Sequence, residues 1–472
     1  MKGRRVSFFL LIVIAVQSFG QDDHYWSQQY GAVSTLMGGA VIAGVRDNTA
    51  IFYNPGALSF INIPSLSVDA NVYKVDKIFL NDGIGDGINL NSAQMSIYPQ
   101  IISGLVNLFK SERFRFSYAL LTRQYSNLLM DTRYTSADIQ NTDIPPTEKY
   151  IGAFDYANQL NEQWGGLGVG YRINDHLGVG ATVFVTYRGQ SYQVTNYFRV
   201  VDKVDSVYEF GSVNNDKGVK YKTFGLLAKF GLNYEIGRFK LGFTLTTPSI
   251  QFYGSGTAQR EVSLIVLARD SASTGGFVVM DRMEGIRARY KYPLSLGFGF
   301  EYKTAKTRIA FSAEYFFGIK LYHLLQPTSD PFVYPPSYKD TAALKPIFED
   351  FLHVENKSKP VFNFGIGFSQ ELSPKFTLML GARTDYSAFA KSDESDSFLH
   401  GAGQWDLYHL SAGLSYHQKR NTITAGFTYS VSPKTHIDQF DVLNPYYQAD
   451  VTPFVFSQSF GVVIGYTYYF PK

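Results

Sequence analysis

The 472-residue chain has no cysteine. That excludes a disulfide framework, thiolate metal sites and cysteine nucleophiles. Charge is scarce: 18% of residues are Asp, Glu, Lys or Arg, where a soluble domain carries roughly 25%. The 43 basic and 40 acidic residues nearly cancel, and a net charge of +3 gives no reason to expect nucleic acid as a partner. Beyond the N-terminus no apolar run reaches the about 20 residues that a spanning helix needs. No H-E-x-x-H or G-x-S-x-G motif occurs, and the eight histidines are scattered, so neither a metal nor a catalytic site is expected. What is abundant is aromatic: 34 Tyr, 39 Phe and 3 Trp, alongside 42 Gly. A charge-poor chain rich in Tyr, Phe and Gly points to strands in a membrane.

The first residues set the compartment. Lys2, Arg4 and Arg5 precede the apolar run Val6 to Val16, and Ser18-Phe19-Gly20 leads into Gln21-Asp22-Asp23. A basic stretch, a short apolar stretch and a small-residue site describe an export signal over residues 1–20.

Period-two alternation then dominates. Phe460, Val462, Ile464, Tyr466, Tyr468 and Phe470 alternate with Gly461, Val463, Gly465, Thr467 and Tyr469. Leu167, Val169, Tyr171 and Ile173 alternate with Gly168, Gly170 and Arg172 before the turn Asn174-Asp175-His176. The same pattern marks about fourteen candidate strands, near 63–72, 91–102, 112–131, 162–173, 177–200, 221–235, 238–253, 292–303, 307–318, 361–371, 375–387, 405–417, 421–432 and 456–470. Gaps after even-numbered strands are mostly tight, such as Ile236-Gly237 or Leu372-Ser373-Pro374; those after odd-numbered strands are long, such as 132–161, 201–220 and 254–291. Sorting of loops by parity is what short periplasmic turns and long extracellular loops produce. The expected fold is all-β: a transmembrane antiparallel up-and-down barrel of about 14 strands. So wide a lumen needs a plug or is a pore. Residues 21–61, glycine-rich and without clear alternation, are the candidate plug, leaving 62–472 for the barrel.

Within that stretch, Gly38-Gly39-Ala40-Val41-Ile42-Ala43-Gly44-Val45-Arg46-Asp47-Asn48-Thr49-Ala50-Ile51-Phe52-Tyr53-Asn54-Pro55-Gly56-Ala57 resembles the N-terminal hatch of the FadL family, outer-membrane channels for long-chain fatty acids and aromatic hydrocarbons. The hatch motif maps onto Asp47, Phe52, Tyr53, Asn54, Pro55 and Gly56, with Gly56-Ala57 departing from the family's Asn-Pro-Ala. Asn54-Pro55-Gly56 is in any case a chain-reversal signal. The resemblance implies a cell outer membrane location, binding of a hydrophobic small molecule from outside, movement of the hatch, and lateral release into the membrane lipids through a kinked third strand. Here the third strand, Phe114 to Asp131, holds neither Gly nor Pro and announces no bulge. Similar barrels also serve as protein-binding adaptors in type IX-like secretion, so a secretion partner protein is the alternative, and a general porin a third reading.

Strand parity turns Arg115, Arg123, Arg172, Arg188, Lys229, Lys240, Glu235, Glu301, Glu314, Arg383 and Asp385 into the lumen. The plain expectation is that they pair and hold the plug. The sharper one is that Arg188, Lys229 or Arg383 meets a ligand carboxylate while a buried tail supplies affinity. Phe317 and Tyr322 belong to an aromatic loop suited to a first apolar docking patch, or to loops packing on one another. His409 and His417 read as solvated lumen residues rather than half of a hydrolase, and Gly166-x-Gly168-x-Gly170 as small lumen-facing residues rather than a nucleotide loop. No cofactor is implied.

Overall fold

The structure is a computed structural model that describes residues 24–84, 87–106, 111, 113–135, 149–204, 207–267, 275–328, 330–338, 351–390, 404–436 and 452–471. The expected export signal lies outside these residues. Fourteen antiparallel strands form one closed ring. They are β1 (Ser65–Asn81), β2 (Leu90–Val106), β3 (Phe114–Thr135), β4 (Lys149–Arg172), β5 (Leu177–Val204) and β6 (Val207–Ile236). Next come β7 in two pieces (Phe239–Thr246 and Ile250–Leu267), β8 in two pieces (Gly275–Ile286 and Ser295–Lys303) and β9 (Thr307–Phe316). The ring ends with β10 (Val361–Ser373), β11 (Phe376–Asp385), β12 (Leu407–His417), β13 (Asn421–Val431) and β14 (Phe454–Tyr469). Sequence neighbours are sheet neighbours, and β14 pairs back onto β1 from Ser65↔Tyr469 to Asn81↔Phe454. Closure leaves no free strand edge around the lower ring, where β2 and β3 pair from Ile101↔Leu121 to Val106↔Phe116.

The two faces follow the pleat. On β6, Ile236, Tyr234, Phe230 and Leu226 point outward and exposed, while Asn233, Lys229 and Leu227 are buried within. From Tyr234 to Phe224 the outward set is apolar, about 33 Å of strand and ~25 Å of height at the usual tilt. Above Phe224 the next outward residues are Lys222 and Lys220, both exposed, and the inward ones are Tyr221 and Val219, both buried. The same exchange occurs on β5, where Tyr192, Val194 and Phe198 turn inward, and on β4 with Tyr156 and Phe154.

This exchange corrects the expected loops. Residues 149–161, most of 201–220 and most of 254–286 are strand, not loop. Alternation with an apolar outer face ends where lipid ends, but hydrogen-bonded pairing continues, so a criterion built on apolar outward residues stops short. Strand β3 carries a bulge that the sequence does not announce. Its register with β4 shifts between Thr122 and Gln124, so Arg123 is an extra residue although neither Gly nor Pro stands there.

Residues 24–61 lie inside the ring. Helix α1 (Ala32–Leu36) packs on β11 to β14, and the short helix α2 (Ala50–Tyr53) runs into a 3₁₀ turn, Pro55–Phe60, seated on β4, β5 and β6. Asn54 N-caps the turn: its side chain accepts from Gly56 N at 3.0 Å and donates to the carbonyls of Ile42 (2.8 Å) and Leu232 (3.0 Å). The wall is cut back to receive the segment. A Cβ on Gly168 would stand 2.9 Å from Ile51, and one on Gly170 2.8 Å from Leu58. Gly56 has the converse constraint: a Cβ there would come within 2.8 and 2.9 Å of the carbonyls of Gly231 and Gly178. That accounts for glycine where the related motif carries alanine.

Gly56→Val should therefore loosen residues 24–61 without opening the ring. Limited proteolysis should cut this segment at least tenfold faster, with heat-modifiable gel migration of the barrel retained. Protease resistance equal to the parent would show that the close approach at Gly56 is not limiting.

Candidate functional site

A belt of aromatic and charged side chains closes the lumen where the wall is least regular. Tyr25 stacks on Phe316 (centroids 4.4 Å apart) and meets Tyr292 edge-on at 5.8 Å; Tyr292 meets Trp164 edge-on at 5.2 Å. Phe52 sits 6.3 Å from both Trp164 and Phe184. Arg123, delivered by the β3 bulge, lies 5.5 Å from the Trp164 ring and donates to the Tyr25 carbonyl at 2.6 Å and to the Tyr292 hydroxyl. Such a cation over an aromatic face is worth about 0.5–2 kcal/mol, more when water is excluded. Tyr292 and Ser295 come from the break in β8, and Thr246 borders the break in β7. Together they enclose a cavity of about 30 Å³, room for a water or two and far below the ~150 Å³ that accepts a benzene ring.

Lys229 faces this cavity. Its ammonium stands 4.8 Å from the Phe52 ring centre and 3.9 Å from Glu314, which also accepts from Trp26 Nε1 (3.0 Å) and Ser295 (2.7 Å). Arg188, by contrast, is committed. It reaches Glu162 at 2.5 Å, Gln124 at 2.6 Å and the Tyr221 hydroxyl at 3.1 Å, with its guanidinium 4.1 Å over Tyr290. Arg383 donates to the carbonyls of Trp26 (3.2 Å) and Ser27 (3.3 Å). Of the three basic residues singled out for a ligand carboxylate, only Lys229 lines the cavity.

The other sequence-selected residues divide by place. Tyr53 donates to Gln29 at 2.8 Å and accepts from Tyr30 N at 2.9 Å, and Asp47 accepts from Thr49 N at 2.9 Å. Tyr322 is buried in the outer part of the lumen, its hydroxyl accepting from Asn356 at 2.6 Å. Phe317 is exposed against Tyr315 on the outer wall and is not brought to the cavity. His409 is not solvated: it is buried, 2.5 Å from the Ser430 hydroxyl and 3.7 Å from Asp385, whose carboxylate accepts from Trp26 N at 2.9 Å. The lumen charges mostly hold residues 24–61. Arg115 donates to Ile61 O (2.8 Å), Arg172 to Ser59 O (2.8 Å), and Arg46 pairs with Glu235. Sequence reasoning missed Tyr25, Trp164 and Tyr292 at the cavity and Phe184 behind them in the belt. Parity could have found Trp164 and Phe184, which stand on the small, polar face of their strands.

The wall also parts. β2 and β3 pair only from Ile101↔Leu121 to Val106↔Phe116. Above that, Leu90–Gln100 bonds to β1 alone, and Gln124–Thr135 to β4 alone. Pro99, which has no N–H, and the Arg123 bulge flank the point of separation. A cavity of about 140 Å³ lies in this seam, lined by Lys74, Ser96, Tyr125, Ser126, His24 and Gln28 among others.

No protein-family model matches the sequence, and no curated protein matches it. Solved structures do match, FadL-type barrels among them. The Pseudomonas putida toluene transporter TodX aligns over 96% of this chain and 100% of its own, with a TM-score of 0.58 at 14% identity. A Pseudomonas aeruginosa FadL homologue aligns over 94% and 99% (TM-score 0.54, 12% identity). The Ralstonia pickettii toluene transporter TbuX aligns over 94% and 98% (TM-score 0.53, 15% identity). At these identities the likeness establishes the fold: a closed fourteen-stranded barrel of the FadL type.

Arg188→Met would leave Glu162 buried without its cation and should cost about 3–5 kcal/mol. In detergent the denaturant midpoint should fall, and adding Glu162→Gln should recover most of the loss. An unchanged midpoint for the single variant would mean the pair contributes nothing structural.

Proposed function

We propose that the chain is an outer-membrane channel for passive uptake of hydrophobic small molecules, with residues 24–61 as its hatch. The observation that carries this reading is the continuity of three features. The outer lumen is apolar, with Leu128, Met130, Tyr134, Phe154, Tyr192 and Phe198 in one buried cluster. Below it lies the aromatic belt with its small cavity, and beside the belt the β2–β3 seam opens toward lipid. A porin for polar solutes would want the opposite lining. The named transporters of this fold carry toluene, which fits an aromatic belt. Among the described residues the turns at the other rim are short, so the adaptor reading gains no support.

In this reading a ligand desolvates in the outer cluster at about 0.8 kcal/mol per buried CH₂. It passes to the aromatic belt when Tyr25, Trp26 or Phe52 moves, and leaves between β2 and β3 without crossing the polar inner rim. Lys229 orients a ligand that carries a carboxylate, because Glu314 at 3.9 Å engages it only loosely.

Two experiments test this. The chain has no cysteine, so Ser96→Cys with Ser126→Cys places the only thiols across the seam. Bridging them with a short bis-maleimide should cut uptake of radiolabelled toluene and laurate at least tenfold, while the unbridged double variant transports normally. Full uptake through the bridged seam would refute lateral exit. Separately, Lys229→Met should reduce laurate uptake at low concentration about tenfold and leave toluene uptake within about twofold. Equal effects on both would remove Lys229 as a carboxylate anchor.

A further inference from the structure

The outer wall carries a feature that the transport reading does not use. Strand register places Lys222 between Gly189 of β5 and Ser255 of β7, and Lys220 between Ser191 and Thr257. Both lysines are exposed on the outward face. Directly beneath them Tyr187 and Phe224 are in contact at 5.1 Å, and Phe224 meets Tyr253 at 6.0 Å. These rings end the apolar band, so the two ammonium groups stand one and two rungs above the aromatic girdle, at headgroup height. The missing side chain at Gly189 and the small one at Ser191 leave a hollow between the lysines and the amides of Asn161 and Gln159 on β4. It forms a groove of about 560 Å³ on the outside of the barrel.

Among the described residues neither Lys220 nor Lys222 has a carboxylate partner. The nearest outward acid on β6, Asp216, accepts instead from the Thr195 hydroxyl at 2.6 Å. Two like charges on alternate residues of one strand, without a counterion and at the membrane surface, complement an anion held at that height.

We propose that this groove docks the phosphorylated sugar headgroup of an outer-leaflet glycolipid, a proposal that rests on the outer-membrane reading above. Lys220 and Lys222 bind the phosphate as point charges. The hydroxyls and amides around them, Ser191, Ser255, Thr257 and Asn161, match sugar hydroxyls. Tyr187 offers a ring face at the junction of sugar and acyl chain. An ordinary phospholipid would use the charges and leave the polar floor idle, which is why the groove fits a glycolipid better.

The test is native mass spectrometry of the full-length barrel in detergent with added diphosphorylated lipid A, dephosphorylated lipid A or phosphatidylglycerol. The parent should retain one lipid A at least tenfold more tightly than either comparison lipid. Lys220→Gln with Lys222→Gln should lose that preference, and Lys220→Arg with Lys222→Arg should keep it. Heat-modifiable migration checks that each variant is folded. Equal retention of lipid A by the glutamine variant overturns the proposal. So does equal retention of dephosphorylated lipid A, and phosphatidylglycerol binding as tightly would reduce the groove to a non-selective anion surface. Membrane fractionation separates the two levels. Outer-membrane sedimentation with no lipid A preference sinks this proposal alone, whereas sedimentation elsewhere sinks the outer-membrane reading and this proposal with it.

Discussion

Each strand of the ring must present hydrocarbon-compatible side chains on one face for about 25 Å and no further. Because side chains alternate, that demand shapes the opposite face: where the outer face is apolar, the inner one is mostly Gly, Ser, Thr, Asn and isolated charges, with a few large side chains such as Leu227, Trp164 and Phe184. Where lipid ends the demand lapses, and the faces exchange roles. Lys222 and Lys220 turn out while Tyr221 and Val219 turn in. The barrel thus has a small-residue lower lumen and an apolar upper one. The first makes room for residues 24–61, and the second gives a nonpolar molecule somewhere to leave water.

The level of exchange is heavily bonded. Arg123, Gln124, Glu162 and Arg188 are all nearly inaccessible; Arg123 bonds to Tyr30 and Tyr292, while Arg188 bonds to Tyr221, Gln124 and Glu162 and covers the Tyr290 ring. A buried ion pair of this kind adds little net stability, since desolvation offsets most of the attraction. What it supplies is position. It fixes Arg123 against Trp164 and Tyr292, and so the walls of the small cavity. The lower arginines act differently, each capping a carbonyl of the inner segment; their planar forks suit several acceptors at once.

Strand number, ring closure and the short turns were legible in the sequence because alternation is a direct imprint of the lipid boundary. The upper parts of β4, β6, β7 and β8 were not; on β6 the imprint stops at Phe224 while the backbone pairing runs on to Val207. The Arg123 bulge left no mark either: nothing about Thr122-Arg123-Gln124 requires an extra residue, and the separation from β2 depends on Pro99 twenty-odd positions away. Asn54-Pro55-Gly56 was readable as a reversal from local chemistry alone. Its fit against Gly178 and Gly231 needed the wall in place. Lys229 was placed in the lumen by parity, but its face toward the cavity, the commitment of Arg188 to Glu162, Gln124 and Tyr221, and that of Arg383 to Trp26 and Ser27 depend on the assembled ring and the segment inside it.

The inner segment is held in two ways, and the difference bears on how a 30 Å³ cavity could ever pass a ligand. From Gly38 to Ser59 the segment fits against wall glycines so closely that a Cβ on Gly38 would meet the Ala382 backbone at 2.8 Å, and one on Gly180 would meet the Pro55 carbonyl at 2.2 Å. Sliding that part would clash with the ring before it broke a hydrogen bond. Residues 24–29 have no such fit. They are tied by exchangeable polar contacts: Gln124 to the His24 carbonyl at 2.9 Å, His24 to the Trp405 carbonyl at 2.9 Å, Trp26 to Asp385 and Glu314, and Arg383 to two carbonyls. Water or a ligand's polar end can replace such bonds one at a time, at about 0.5–1.5 kcal/mol net for the neutral ones and about 1.5–3 kcal/mol for those to Asp385, Glu314 and Arg383. Tyr25 and Trp26 also form the cavity wall on that side. Widening the path by displacing them therefore demands far less than withdrawing the glycine-fitted body, and leaves the reversal at Asn54 as a fixed anchor.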